Sequence, residues 1–149
     1  MSTNYYMVLE KNKCSCCGRA DTRKIHIGMK AGGWRFSFQG FRGGCYDYGA
    51  YEHGWGDEPC PVDLTSWQQW RQFLRAEYWN GWTISIQDEY GQTIPLSTLD
   101  EIVYNEYTDG QIHNEYCRKH PIWSNEYLNN PDKYWDDPEG FSFSIVEFS

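Results

Sequence analysis

Apolar residues alternate with polar ones in several short runs, and a period of two is that of a half-buried strand. Asn4 to Leu9, rich in Tyr and Val, predicts a first strand that leads into a cysteine-dense turn. Arg23 to Gly28 sets Ile25 and Ile27 on one face. Trp34, Phe36 and Phe38 alternate in the same way after Ala31-Gly32-Gly33, so the two runs predict a β-hairpin. Trp82 to Gln87 predicts a strand with Trp82, Ile84 and Ile86 inward, ended by the turn Asp88-Glu89-Tyr90-Gly91. Near the C-terminus, Phe141, Phe143 and Ile145 echo the Gly33–Phe41 run, and the two are expected as neighbours in one antiparallel sheet.

Elsewhere the period becomes helical. Thr65 with Gln68, or Ser66 with Gln69, forms a capping box ahead of Trp67, Trp70, Phe73, Leu74 and Tyr78, which share one helical face. Pro95 and Ser97 open a shorter helix through Leu99, Ile102 and Val103, with Asp100 and Glu101 expected in its first turn. Residues 40–61 are glycine-rich and end in Pro59 and Pro61, predicting a long irregular segment of the kind that is functional, disordered or tied down, a tie that a metal ligand or aromatic packing could supply. Residues 108–140 are polar, acidic and proline-punctuated, predicting mostly loops with a short helix around Asn114 to His120. The fold class expected is α+β: a small, mainly antiparallel sheet with one or two covering helices and a zinc-knuckle-like N-terminal hairpin.

A length of 149 residues suits one domain, residues 1–149. Aromatic residues reach 18% while plain aliphatics are sparse, so the core must be built largely from Trp, Tyr and Phe. The net charge of −8 is unevenly spread. Residues 1–44 hold eight basic side chains against Glu10 and Asp21, whereas residues 45–149 hold five against nineteen acidic ones. A basic cysteine-knuckle part is thus joined to an acidic, aromatic-rich part; such halves can pair with each other, steer a basic partner or hold a phosphate. No basic stretch precedes an apolar run at the N-terminus, and no segment approaches the ~20 apolar residues of a membrane span, so a soluble intracellular protein with no membrane association is expected. Six cysteines in such a setting are expected as reduced thiols or metal thiolates.

The cysteines are the densest chemistry. Cys14-Ser15-Cys16-Cys17-Gly18-Arg19 contains C-x-x-C-G, the spacing at which a tight turn aims two thiolates at one zinc ion, and His26 follows on the adjacent strand. A closed structural zinc site needs four ligands; Cys14, Cys17 and His26 leave one to come from Cys16, Cys45, Cys60 or His53. A reduced buried thiol cluster or a redox pair are the alternatives, although a redox pair favours a helix N-terminus, which is not predicted here. Trp34, Arg35 and Arg42, among Phe36, Phe38 and Lys30, suit base stacking with backbone neutralisation; the opposing reading buries the aromatics and leaves Arg35 in solvent. Asp88-Glu89 reads as a polar turn before an acid/base pair, and His113, Cys117 and His120 read as surface residues or at most a second metal site. No complete hydrolase, nucleotide-binding, zincin or deaminase motif occurs.

The chain resembles a family of small tailed-bacteriophage proteins. The resemblance rests on Asn4-Tyr5-Tyr6, Cys14-x-Cys16-Cys17-Gly18-Arg19, His26-Ile27-Gly28 and Gly33-Trp34-x-Phe36-x-Phe38-x-Gly40. The helix with Trp67 and Trp70, the Asp88–Gly91 turn and the ending Ser142-Phe143-Ser144-x-x-Glu147-Phe148-Ser149 extend it, while residues 41–63 and 105–135 depart from it. No activity travels with this likeness. It implies expression in a host bacterial cytoplasm during infection, where small accessory proteins commonly bind host or defence machinery. The leading expectation is therefore an accessory protein that binds and modulates or inhibits a host or anti-phage defence protein. A zinc-supported nucleic-acid binder using residues 1–44 is the second, and a small metal-dependent hydrolase or nuclease centred on His26 the third.

Overall fold

A computed structural model describes residues 2–31, 35–44, 55, 59–105 and 133–145. In chain order these form β1 (Ser2–Lys11), β2 (Asp21–Ala31), β3 (Ser37–Gln39), α1 (Trp67–Arg75), β4 (Tyr78–Trp79), β5 (Trp82–Asp88), β6 (Thr93–Ile94), α2 (Leu96–Tyr104), β7 (Tyr134–Asp136) and β8 (Ser142–Ser144). The strands make one eight-stranded sheet in the order β4-β5-β1-β2-β3-β8-β7, with β6 also on β5. All pairings are antiparallel except β3–β8. The mainly antiparallel α+β class expected from the sequence is what is found.

The aromatic core follows from the alternation. Tyr5, Met7 and Leu9 of β1, Ile25 and Ile27 of β2, Phe36 and Phe38 around β3, and Phe141 and Phe143 around β8 are buried together with Trp82 and Ile86 of β5. Helix α1 adds Trp67, Trp70 and Leu74, and α2 adds Leu99 and Val103. Phe38 stacks on Phe143 with ring centroids 4.8 Å apart and lies 5.3 Å from Trp67. This partnership is the predicted one, but its direction is not: Phe38 faces Phe143 in a parallel pairing. A parallel pair requires a long crossover, and the chain between β3 and β8, which carries both helices, supplies it. The antiparallel neighbour of β8 is instead β7, a strand within the stretch expected to be mostly loop. The short helix expected around Asn114 lies outside the described residues.

Helix α1 starts as predicted for the Ser66/Gln69 pair. The Ser66 hydroxyl accepts the Gln69 N–H at 3.2 Å, while Gln69 Oε1 reaches back to the Thr65 N–H at 2.7 Å. A second cap comes from far along the chain: Asp137 Oδ2 accepts the Trp67 N–H at 2.9 Å. Tyr78 is not on this helix. Glu77 has φ of 61°, and Asn80 and Gly81 at 49° and 83° form the two-residue turn of a β4–β5 hairpin that pairs Trp79 with Trp82. In α2, Asp100 falls past the first turn, and its carboxylate meets Arg71 Nε of α1 at 3.3 Å. Within the glycine-rich stretch, Trp55 is fully buried and sits edge-on to Phe41, Phe73 and Trp79; Cys45 and His53 lie outside the described residues. No helix among the described residues is long and apolar enough to cross a membrane.

Tyr104, at the end of α2, donates its hydroxyl to Glu139 Oε1 at 2.6 Å in the β7–β8 turn. Partial burial, followed by the hydrogen bond to the Glu139 carboxylate, pushes the phenol up to about 12. The folded value lies above the ~10 of an unfolded chain, so the bond's contribution is whole below about pH 10 and is lost as pH rises through the folded value. Urea melts at increasing alkaline pH are expected to show a steeper loss of stability in the parent chain than in Tyr104→Phe.

Candidate functional site

The β1–β2 hairpin ends in the cysteine turn. Cys14 N–H donates to Arg19 O at 2.7 Å and Gly18 N–H to Cys14 O at 2.9 Å, closing a tight loop that needs Gly18 at φ 75°. Cys14, Cys16 and Cys17 are all exposed. The backbone N–H groups of Cys17 and then Cys16 hydrogen-bond the Cys14 sulfur, and the neighbouring thiols add to them, holding the Cys14 thiol below its ordinary value. Lys13 and Arg19 are exposed within or beside the turn, and Lys11 lies 4.3 Å over the Trp82 ring at its base.

His26 is not brought to these thiols. It lies five residues into β2, about 16 Å of strand from the loop at ~3.3 Å per residue. Its ring is 2% exposed on the face opposite the aromatic core, with Nε2 2.9 Å from Asn4 Oδ1 and Nδ1 3.5 Å from Gln39 Oε1. Gln39 Nε2 donates to the carbonyls of Ser144 and Ile145, which turns its Oε1 toward the imidazole. Of the candidate further ligands, Cys60 is buried and donates its thiol to Val62 O at 2.8 Å. Cys45 and His53 lie outside the described residues, as do Trp34, His113, Cys117 and His120. Among the described residues no group of three or more His, Cys, Asp or Glu side chains is placed to hold a metal ion.

The aromatic platform is core. Phe36 and Phe38 are buried, and Arg35 is not in open solvent: its guanidinium lies 4.6 Å over Phe141 and donates to Gly140 O at 3.1 Å. Arg42 covers Trp135 at 4.6 Å and lines a groove of about 330 Å³ with Ser66, Asp136 and Asp137. Both arginines use aromatic faces of their own chain.

A larger groove, about 500 Å³, opens between α1 and the β4–β5 hairpin. Val62, Phe73, Ala76, Tyr78, Trp79 and Ile84 form its apolar lining, with Asp63, Gln69 and Gln72 as polar members. Tyr78 is 65% exposed and Val62 37%. The groove was missed in the sequence because Tyr78 fitted the helical period of α1; the Asn80-Gly81 dipeptide, a strong hairpin signal, marks the strand that actually carries it. Asp88 and Glu89 form the expected polar turn, with Asp88 Oδ1 accepting the N–H groups of Tyr90 and Gln92, both at 2.9 Å. The chain matches no protein-family model, no curated protein and no solved structure.

Proposed function

We propose that the chain is a binding protein that occupies and modulates a protein target, a host or anti-phage defence protein in the host cytoplasm, through the groove between α1 and β4–β5. The observation that carries this reading is the exposed Tyr78 beside the half-buried Phe73 and Trp79, an aromatic-aliphatic surface with a polar margin. Protein interfaces concentrate their affinity in such aromatic anchors. The acidic excess of residues 45–149 selects a partner whose surface is basic around an apolar anchor. The likeness to phage accessory proteins points to the same class of target.

The test is capture from phage-infected bacteria with the tagged chain and with Tyr78→Ala. Truncating so exposed a ring leaves the melting temperature within about 1 °C, while retention of a specific protein is expected to fall by about tenfold or more. Capture of the same proteins in equal amount by both variants sinks the reading.

A zinc-supported nucleic-acid binder remains the second reading because Lys13 and Arg19 flank exposed thiols. The buried Phe36 and Phe38 weaken its stacking half. Binding to single- or double-stranded DNA or RNA that falls steeply with salt and weakens in Lys13→Ala would favour it. The hydrolase reading placed His26 at the chemistry and gains nothing from a ring buried against Asn4 and Gln39.

A further inference from the structure

We infer that the groove between α1 and the β4–β5 hairpin receives an arginine side chain from its protein partner. The arginine lies against Phe73, Tyr78 and Trp79, and its charge meets Asp63. The inference rests on the reading of this groove as the partner-binding surface and adds the chemistry of the anchor.

The lining selects a cation. Phe73, Tyr78 and Trp79 are its aromatic members, and among the described residues its sole charged member is a carboxylate, Asp63. An aromatic face is electron-rich, so a cation gains from the rings and from the carboxylate together. A neutral apolar side chain would leave Asp63 without a counter-charge, and an anion would be repelled. Asp63 is exposed; its Oδ1 accepts the Gly43 N–H at 2.7 Å, which tethers the carboxylate and leaves Oδ2 for a ligand. The rings are also set before a partner arrives. Phe73 and Trp79 are inclined at 42° with centroids 6.2 Å apart, and both sit edge-on to the fully buried Trp55. Such preorganisation lowers the ordering cost of binding.

Elsewhere the chain covers aromatic faces with its own cations. Lys11 and Arg23 lie over Trp82, Lys24 over Tyr6, Arg35 over Phe141 and Arg42 over Trp135. Among the described residues no Lys or Arg lies over Phe73, Tyr78 or Trp79, and none pairs with Asp63. The two arginines of α1 do not fill the place: Arg71 meets Asp100 of α2, and Arg75 is exposed outside the lining. The groove thus repeats the chain's own aromatic arrangement with the cation left to the partner. Arginine suits it better than lysine, because a guanidinium is planar, weakly hydrated and able to stack on a ring while donating in fixed directions to a carboxylate. Gln72, exposed on the margin, offers an amide oxygen to the remaining donors.

The test titrates the full-length chain with three peptides, acetyl-Gly-Ser-Leu-X-Leu-Ser-Gly-amide, where X is arginine, lysine or citrulline, and follows NMR shifts of the Phe73, Tyr78 and Trp79 amides. Citrulline keeps the planar shape and loses the charge. The arginine peptide is expected to move these signals and to bind about five- to tenfold more tightly than the citrulline peptide, with lysine between them. Asp63→Asn keeps an oxygen for Gly43 and removes the charge, so the melting temperature should hold while the preference for arginine over citrulline falls by about two- to fivefold. Equal binding of the three peptides at the groove, or an unchanged preference in Asp63→Asn, overturns the arginine assignment and leaves the groove as a partner surface. Absence of shifts with every peptide overturns it as well, and capture by Tyr78→Ala then decides whether the reading of the groove falls with it. Groove shifts that grow with the concentration of the chain alone would seat a second copy there and likewise overturn the assignment.

Discussion

Replacing Asp137 by alanine is expected to cost about 3–5 kcal/mol of stability, because up to three backbone donors lose their acceptor at once. Asp137 is 6% exposed. One carboxylate oxygen accepts the Trp67 N–H at 2.9 Å; the other accepts Phe141 N–H at 2.8 Å and Glu139 N–H at 3.0 Å. It therefore caps the first turn of α1 and closes the β7–β8 turn with the same group. Helix N-termini leave their first N–H groups without intrahelical partners, and a negative charge there also meets the positive end of the helix dipole. Alanine orphans Trp67 N–H and Phe141 N–H where water has little access, and each buried unsatisfied donor costs about 1–3 kcal/mol. For a chain of this size the loss corresponds to a melting temperature lower by roughly 9–15 °C. Asp137→Asn keeps one acceptor oxygen, so it should fall between the parent and the alanine variant. Thermal and urea melts of the three chains check the ranking, and an asparagine variant as unstable as alanine would contradict the division of labour between the two oxygens.

What the sequence revealed was local. The Ser66-Gln69 cap, the Trp67/Trp70/Leu74 face, the Trp82–Ile86 strand and the Asp88–Gly91 turn are each set by residues within a few positions of one another, and each formed. Strand direction is not local. The alternation of Phe36 and Phe38 and that of Phe141 and Phe143 show which face is apolar, yet the same face is buried in a parallel or an antiparallel pairing. The connection decides between them, and it runs through stretches whose pattern is weak. Asp137 was invisible for the same reason: a carboxylate in a Trp-Asp-Asp-Pro stretch reads as solvated until α1 is placed against it. Nothing close to Trp55 in sequence marks it as core, and its burial depends on Phe73 of α1 and Trp79 of β4 meeting it beside Phe41.

The candidate sites divide along the same line. The Cys14–Gly18 turn is built by five consecutive residues and was readable. His26 was assigned to it by separation in sequence, but a histidine on an extended strand moves away from the turn by about 3.3 Å with every residue. Its alternation with Ile25 and Ile27 already put it on the opposite face from the core, where a buried imidazole needs hydrogen-bonding partners. Asn4 and Gln39 are those partners, and neither is near it in sequence. Arg35 and Arg42 fit either a ligand-facing platform or open solvent from the sequence alone; the aromatic faces they cover, Phe141 and Trp135, come from about a hundred residues away.

Gly28→Ala is expected to destabilise the chain by about 3 kcal/mol, acting on the joint that holds the sheet together. A Cβ at this position would lie 2.3 Å from the Ser37 carbonyl oxygen and 2.4 Å from the Phe36 ring. The carbonyl belongs to backbone and cannot swing aside, so β2 and β3 must separate. They are paired only at Gly28–Phe38 and Met29–Ser37, and through this joint β8 and β7 are attached to the rest of the sheet. A clash at one of two pairings thus loosens three strands, whereas β1 and β2 are held by ten. Amide exchange should accordingly accelerate more at Phe38 and Phe143 than at Met7 and Ile25. Gly40→Ala provides the control. There the added Cβ would meet the far end of the Trp135 ring at 2.5 Å, a side chain on the edge strand β7 rather than backbone, so the ring and not the sheet has to shift. Its movement gives up the indole hydrogen bond to Thr65 O at 2.8 Å and the Arg42 contact, a cost of about 1–2 kcal/mol. If the two variants prove equally stable, close approach of β3 to β2 is not what requires glycine in the His26-Ile27-Gly28 stretch.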